Sequence, residues 1–271
     1  MKKLAPTAFI IAAMCVPAML VSCTEVEIAT STSTPTPTTS TQVPTSIYTP
    51  PPVTSGRPTP VNPNITIPNP ASDFTYTIDG DKVTITGYVG RDGDVVIPEK
   101  IEGKSVTFIH DTAFYNCERL TTIKIPNGVT HIGGLEPRDE FVGGGWGAFA
   151  NCSNLVIVTI ADSVTHIGDF AFFGCGGLRS ITWPSSLESI GYSAFWGCSL
   201  LTSITSPDGV TSIDHEAFSQ CYGLSSITIP DSVTGIGIGV FAGCPNLTVT
   251  CPPDSYTHRY CVENGIKFQL A

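Results

Sequence analysis

Cysteines recur at a fixed interval along the chain, and their chemistry depends on what surrounds them. Cys175, Cys198 and Cys221 are 23 residues apart and end segments that read A-F-x-x-C. Each could be a reactive thiol, half of a disulfide or a metal ligand. Six cysteines share this position of the pattern: Cys117, Cys152, Cys175, Cys198, Cys221 and Cys244. When like positions stack, neighbouring Cβ atoms point the same way and stay too far apart for a disulfide, so we predict a buried column of apolar thiols.

Two further cysteines and a pair of histidines fall outside this series. His258 and Cys261 lie three residues apart, on one face of a predicted helix, and Cys251 precedes them. A zinc site built from these side chains would lack its fourth ligand. Two buried thiols are the favoured interpretation of Cys251 and Cys261, and a disulfide between them, which would suit an oxidising compartment, is the alternative. His131 and His166 share one position of the pattern and should stack, but without a carboxylate partner they make a poor metal site.

Known catalytic motifs are absent from the sequence. It contains no G-x-S-x-G, no H-E-x-x-H, no Walker A loop and no dinucleotide-binding fingerprint. His215 and Glu216 are adjacent, but the second histidine of a zincin is missing. We therefore predict that the chain is not an enzyme and that it holds neither a cofactor nor a metal.

Composition narrows the class of protein. Only 13% of the 271 residues are charged, whereas the chain has 26 glycines and 22 prolines. This balance favours turns and short strands over long helices. The net charge is −10 and no run of lysine or arginine is present, so we do not expect a nucleic-acid partner.

The first 70 residues are predicted to lie outside the folded domain. Residues 1–22 combine an early basic pair with a short apolar run, as in a signal peptide. The tetrapeptide LVSC at its end resembles a bacterial lipobox, which predicts lipidation of Cys23; an ordinary secretory signal is the alternative. Residues 24–70 contain 13 threonines, 11 prolines and 5 serines. Such a segment cannot bury enough apolar surface to fold, so residues 23–70 are predicted to be a semi-extended membrane tether.

After residue 105 the sequence repeats itself. The repeats begin at Val106, Val129, Val164, Leu187, Val210 and Val233, with spacings of 23, 35, 23, 23 and 23 residues. The spacing of 35 is one unit plus 12 inserted residues, which fall within 133–147. A fixed period of this size predicts a solenoid, in which stacking buries apolar positions that one unit could not bury alone. In each repeat, L-x-x-I-x-I should form a short strand of a parallel sheet, and A-F-x-x-C a single helical or 3₁₀ turn.

Both ends of the solenoid need caps, because a bare repeat exposes apolar surface. Within residues 71–105 we predict a β-hairpin over 74–89, followed by a partial repeat. The six repeats then occupy residues 106–255. Residues 256–271 are predicted to form a C-terminal cap of one helix and a closing strand, with Asp254 or Ser255 as the N-cap and Gly265 at the helix end.

The segments VTHIGDFAFFGCGGLRSITWPSS and VTSIDHEAFSQCYGLSSITIPDS resemble the repeats of the BspA-like, or Treponema-type, leucine-rich repeat family. The resemblance covers about residues 74–271. It implies a β-dominated leucine-rich repeat solenoid in a bacterial surface or secreted protein that binds host, microbial or matrix macromolecules. It supplies no catalytic residues to carry over.

Two surfaces are candidates for binding. The insertion offers charged and aromatic side chains, and loops on rigid scaffolds often bind partners. The candidates there are Glu136, Arg138, Asp139, Glu140, Phe141 and Trp146. The solvent face of the strands offers a threonine ladder, which consists of Thr159, Thr182, Thr205 and Thr228. The alternatives are a tolerated insertion and threonines retained because they favour strands.

Together these features predict a monomeric lipoprotein, anchored to the membrane through Cys23, that binds a protein or a glycan at the cell surface. The alternative is a structural envelope protein without an adhesive partner.

Overall fold

The N-terminal cap adds strands to the start of the solenoid. The computed structural model describes residues 65–91, 93–134 and 147–271. A 3₁₀ turn at Ala71–Asp73 leads into the predicted hairpin, which turns at Gly80 with a positive φ of 56°. The strands of this cap are β1 (Phe74–Asp79), β2 (Lys82–Tyr88), β3 (Asp94–Val96), β4 (Lys100–Ile101) and β5 (Lys104–Ile109).

Each repeat contributes two strands, although only the L-x-x-I-x-I strand was predicted. The other strand contains the isoleucine of V-T-x-I. It is two residues long in the second to sixth repeats, and in the first repeat it is the end of β5. In chain order the strands are β6 (Thr122–Ile125), β7 (His131–Ile132), β8 (Ile157–Ile160), β9 (His166–Ile167), β10 (Ser180–Thr182), β11 (Ser189–Ile190), β12 (Ser203–Thr205), β13 (Ser212–Ile213), β14 (Ser226–Thr228), β15 (Gly235–Ile236) and β16 (Thr248–Cys251).

The strands of successive repeats pair in parallel and in register. The short strands extend the N-terminal hairpin into one sheet with the order β1-β2-β5-β7-β9-β11-β13-β15, called here the short-strand sheet, and β4 pairs with β5. Its register places Ile167 beside Ile190 and Ile190 beside Ile213. The longer strands form the long-strand face of the solenoid. The predicted leucine-rich repeat solenoid is therefore confirmed.

A file of phenylalanine rings runs through the core, one ring from each repeat. The rings of Phe149, Phe172, Phe195 and Phe218 are fully buried. Their successive centroids are 5.1, 5.2 and 5.3 Å apart, with interplanar angles of 4° to 10°. Because this spacing is close to the distance between paired strands, one register satisfies both the rings and the backbone.

The predicted cysteine column lies beside these rings. Cys152, Cys175, Cys198 and Cys221 are fully buried free thiols, and the cysteines at either end of the column are half buried. From Cys152 onwards, each thiol donates a hydrogen bond to the carbonyl of the phenylalanine one repeat earlier, as Cys175 Sγ does to Phe149 O at 3.1 Å. The column therefore links neighbouring repeats, and this contact was not predicted.

The A-F-x-x-C segment forms a tight turn rather than a regular helix. In the third repeat it is closed by 3₁₀-type bonds, from Phe173 N to Phe170 O at 2.9 Å and from Cys175 N to Phe172 O at 3.2 Å. The residues at the two ends of the turn, Phe170 (φ 56°) and Gly174 (φ 69°), have left-handed backbone conformations. Equivalent residues of the next repeats also have positive φ, so the bend is a property of the repeat rather than of one sequence.

The long-strand face is split in the middle. Its strands form two four-stranded sheets, β3-β6-β8-β10 and β12-β14-β16-β17 (β17, Phe268–Leu270), and no hydrogen bond joins the described strands β10 and β12. Trp183 follows β10 at a position where other repeats have isoleucine, and its ring lies 5.3 Å from that of Phe195 in the next repeat. The indole is larger than isoleucine and accounts for the separation, which we call the seam. Ser206, at the same position of the next repeat, is small and buried, with no hydrogen-bond partner for its Oγ.

The C-terminal cap forms as predicted. Helix α1 (Tyr256–Asn264) is N-capped by Ser255, whose side chain accepts a hydrogen bond from His258 N at 3.0 Å. Gly265 ends the helix with φ 65°, a left-handed conformation that favours glycine. The last strand, β17, then pairs in parallel with β16.

The seam makes a prediction for amide exchange. The amides of Ser225 and Ser226 both donate to Thr202 O, whereas those of Thr202 and Ser203, one repeat earlier, have no such bond across the seam. A backbone hydrogen bond contributes about 1 kcal/mol net, so hydrogen exchange followed by NMR should be about fivefold faster or more at Thr202 and Ser203. The double variant Trp183→Ile with Ser206→Ile should reduce this difference, because isoleucine stands at this position in other repeats. Equal exchange at both pairs in the wild type would contradict the seam.

Candidate interaction surfaces

The threonines of the predicted ladder lie on the solvent side of the long-strand face, but in two separate pairs. Thr159 is paired with Thr182 across β8 and β10, and Thr205 with Thr228 across β12 and β14. The last three are exposed and Thr159 is half buried. The ladder is interrupted, because the seam lies between Thr182 and Thr205.

The side chains at the two ends of this face differ from those in its middle. Thr122 is 2% exposed, and its Oγ1 has no hydrogen-bond partner. The face therefore begins with the side chain of Lys124, which is paired with Thr159. At the other end, Gln269 Nε2 donates to Thr250 Oγ1 at 2.8 Å. Between these ends the exposed side chains are mostly hydroxyls, which can donate and accept hydrogen bonds but carry no charge.

The insertion leaves the solenoid at Gly134 and rejoins it at Gly147, both of which pack closely on their neighbours. Gly134 N donates to Asp111 Oδ1 at 2.7 Å. A Cβ on Gly147 would lie 1.9 Å from Phe170 O, so only glycine fits there. The six binding candidates of the insertion, and Cys23, lie outside the described residues. They are Glu136, Arg138, Asp139, Glu140, Phe141 and Trp146.

A second surface lies on the short-strand sheet and was not predicted. A groove of about 610 Å³ runs across the five short strands from β7 to β15. Gly168 and Gly191 contribute no side chain to it, and a Cβ on either would lie 2.6 Å from the backbone of the preceding repeat. Asp169 and Asp214 line the groove, and Tyr256 lines it from the first residue of α1.

Two stacked histidines line the groove near the insertion. The rings of His131 and His166 have centroids 4.6 Å apart and an interplanar angle of 3°, so the predicted stacking is confirmed. The Nδ1 atom of each ring is hydrogen-bonded to the hydroxyl of the preceding threonine. Glu188 places a carboxylate oxygen 4.0 Å from His166 Nε2, and this partner was not predicted from the sequence. Burial, and then the neighbouring His166, lower the pKa of His131.

The thiols are not poised for chemistry. Burial raises the pKa of Cys175, and it raises the pKa of Cys117 to about 12. Such thiols stay protonated at neutral pH and are poor nucleophiles. Cys251 and Cys261 are also buried free thiols in the structure, and burial raises the pKa of Cys261 to about 12. A disulfide between them stays the alternative.

Neither a metal centre nor a membrane span is found in the part of the chain that the structure describes. Within residues 65–91, 93–134 and 147–271, no group of three or more His, Cys, Asp or Glu side chains is arranged to hold a metal ion. No helix in the same ranges has both the length and the apolar character needed to cross a membrane.

The stacked strand-turn units define the class of protein, a leucine-rich repeat solenoid. The chain matches the BspA type leucine-rich repeat region in six copies, over residues 96–135 and 145–261, and it belongs to this family. Proteins of this family are typically bacterial surface proteins, and leucine-rich repeat proteins commonly bind macromolecules.

Two solved structures are similar to this chain. A leucine-rich repeat protein of Treponema pallidum is 27% identical, with a TM-score of 0.58, and the match covers 75% of this chain and 98% of that protein. A leucine-rich repeat protein of Bacteroides ovatus is 31% identical, with a TM-score of 0.52 over 66% of this chain and 42% of that protein. No curated protein is similar to the chain.

The stacked histidines predict a loss of stability in acid. Because the pKa of His131 is lowered in the folded state, the unfolded chain binds a proton first as the pH falls through about 6.5. The stability that the neutral ring contributes above this pH is therefore lost as the pH falls towards the folded-state pKa. Urea unfolding between about pH 7.5 and about pH 5.5 should show a larger fall in the free energy of unfolding for the wild type than for His131→Gln.

His215→Gln is the matched control for this prediction, since His215 is exposed in the same groove but lies outside the stack. It should leave the contribution of His131 in place. A fall of equal size in the wild type and in His131→Gln would contradict the assignment.

Proposed function

We propose that the chain is an exported lipoprotein that displays its solenoid at the cell surface and binds a protein or a glycan without catalysis. The observation that carries the proposal is the long-strand face, where Thr182, Thr205 and Thr228 present an exposed hydroxyl surface on a rigid backbone. Such a surface can make many weak hydrogen bonds at once with little loss of its own conformational entropy. Membership of a family of interaction scaffolds supports it.

The anchor in this proposal is Cys23. The sequence before it has the form of a signal peptide, and LVSC places the cysteine where a lipobox requires it. Two or more acyl chains on Cys23 would hold the protein stably at a membrane, whereas one would not. Residues 24–70, which are rich in threonine and proline, would then separate the solenoid from the lipid surface.

The insertion is the second binding element of the proposal. Its two ends, Gly134 and Gly147, are fixed by the packing of the solenoid. Two of its side chains, Arg138 and Trp146, are of the types that often dominate binding energies at interfaces. A structural role in the envelope without a specific partner is the alternative function, and it requires neither the insertion nor the hydroxyl face.

The test is a binding screen of the full chain against purified matrix proteins and a glycan array. For a partner that is captured, the double variant Thr182→Lys with Thr205→Lys should weaken binding by about tenfold or more, because two charged side chains disrupt the hydroxyl face on both sides of the seam. Deletion of residues 135–146 restores the 23-residue spacing and tests the insertion separately.

Thr211→Lys with Thr234→Lys is the matched control, because both threonines are exposed but lie beside the short-strand sheet. It should leave binding through the long-strand face unchanged. Capture of no partner by the wild type, or equal loss in all the variants, would count against the proposed function and favour the structural alternative.

A further inference from the structure

The groove on the short-strand sheet has a negative electrostatic character. None of its described lining residues is lysine or arginine, whereas Asp169 and Asp214 both line it. Glu188 borders it through its contact with His166, and its side chain is 60% exposed. Over residues 147–259 the chain has eight aspartates and glutamates, no lysine and two arginines, Arg179 and Arg259. Arg179 directly precedes β10 on the long-strand face, and Arg259 Nη1 donates to Asp254 O at 2.7 Å. Neither arginine lines the groove.

The dimensions of the groove match an extended peptide. It crosses five short strands, β7 to β15, and four steps of about 4.8 Å give a length of roughly 19 Å. An extended chain rises about 3.3 Å per residue, so about six residues would fill this length. The bottom of the groove is open because Gly168, Gly191 and Gly237 have no side chains. A Cβ on Gly237 would lie 2.3 Å from His215 N, so larger residues are excluded there by the packing of the repeats.

The two ends of the groove differ in chemistry. The end near the insertion has the stacked rings of His131 and His166. The other end has Tyr256. Ile238, which directly follows the lining residue Gly237, is 79% exposed, and its amide donates to His215 Nδ1. These two side chains provide apolar surface at this end, whereas the carboxylates lie nearer the middle.

We propose that this groove binds an extended polypeptide segment that carries lysine or arginine side chains and an apolar residue. The inference rests on the proposed binding function and adds to it a second surface and the chemistry of its partner. The carboxylates along the groove complement the charge of a cationic chain. The aromatic and aliphatic side chains at one end of the groove can contact an apolar side chain of the peptide. Neutral glycans gain nothing from the charge, and anionic membrane lipids are repelled by it.

The test measures fluorescence anisotropy of labelled peptides with the full chain at low ionic strength. The probe is a peptide of about seven residues that alternates lysine and serine and ends in isoleucine, and the matched peptide has glutamate in place of lysine. The lysine peptide should bind, and its affinity should fall as salt is added. The variant Glu188→Gln with Asp214→Asn should weaken it by about fivefold to twentyfold, since each exposed carboxylate contributes modestly.

Asp208→Asn with Asp231→Asn is the control, because it makes the same change in net charge at exposed sites that do not line the groove. It should leave the affinity within about twofold of the wild type. Glu188→Gln alone serves as a second variant, and unfolding curves establish that each variant is folded. Equal weakening by groove and control variants, equal binding of the glutamate peptide, or no binding of the lysine peptide would overturn the proposal. Dimerisation that Glu188→Gln abolishes would also overturn it, because the occupant would then be a second copy of the chain.

These results are distinguishable from the test of the proposed function. A partner captured through the long-strand face, together with no peptide binding, would remove the groove inference alone. Peptide binding that depends on Glu188, together with no captured partner, would support the groove and leave the long-strand face without a function.

Discussion

The structure depends on the in-register stacking of phenylalanine rings at a spacing that the backbone also needs. Phe149, Phe172, Phe195 and Phe218 are separated by 5.1 to 5.3 Å, and their planes are nearly parallel. One repeat exposes both flanks of its apolar set and cannot offset the entropy of ordering its own backbone, so each ring is buried only by its neighbours. The thiol-to-carbonyl hydrogen bonds of the cysteine column repeat the same interval. The register of the core therefore determines where each exposed side chain of the repeats lies.

This constraint explains why the two faces of the solenoid differ and how one of them is interrupted. The short-strand sheet continues through all six repeats, whereas the long-strand face breaks where Trp183 replaces the usual isoleucine. The core tolerates the tryptophan because Ser206 is small, but the strands on either side no longer pair. Hydroxyls dominate one face and carboxylates border the groove on the other, so the two surfaces are suited to partners of different chemistry.

The repeat period was sufficient to predict the features that recur in every unit. The stacking of His131 on His166, the buried thiols and both caps were predicted because position in the period determines which side chains meet. The short strands were not predicted, since two residues give no alternation of apolar and polar side chains. The groove was missed because its carboxylates, Asp169 and Asp214, occupy different positions of the repeat and share no periodic signal. The seam depends on how the large side chain of Trp183 packs against the next repeat. The pattern of strands in the sequence does not predict this packing.

The most direct test of this account is the free energy of unfolding of Phe195→Ala, with Phe241→Ala as the comparison at the end of the file. Phe195 lies between two rings at 5.2 and 5.3 Å, whereas Phe241 is 6.2 Å from Phe218 and slightly exposed. If stacked repeats hold the fold together, denaturant titration should show a loss of about 3–5 kcal/mol for Phe195→Ala and a smaller loss for Phe241→Ala. A loss below about 1 kcal/mol at Phe195, or an equal loss at the two positions, would contradict the account.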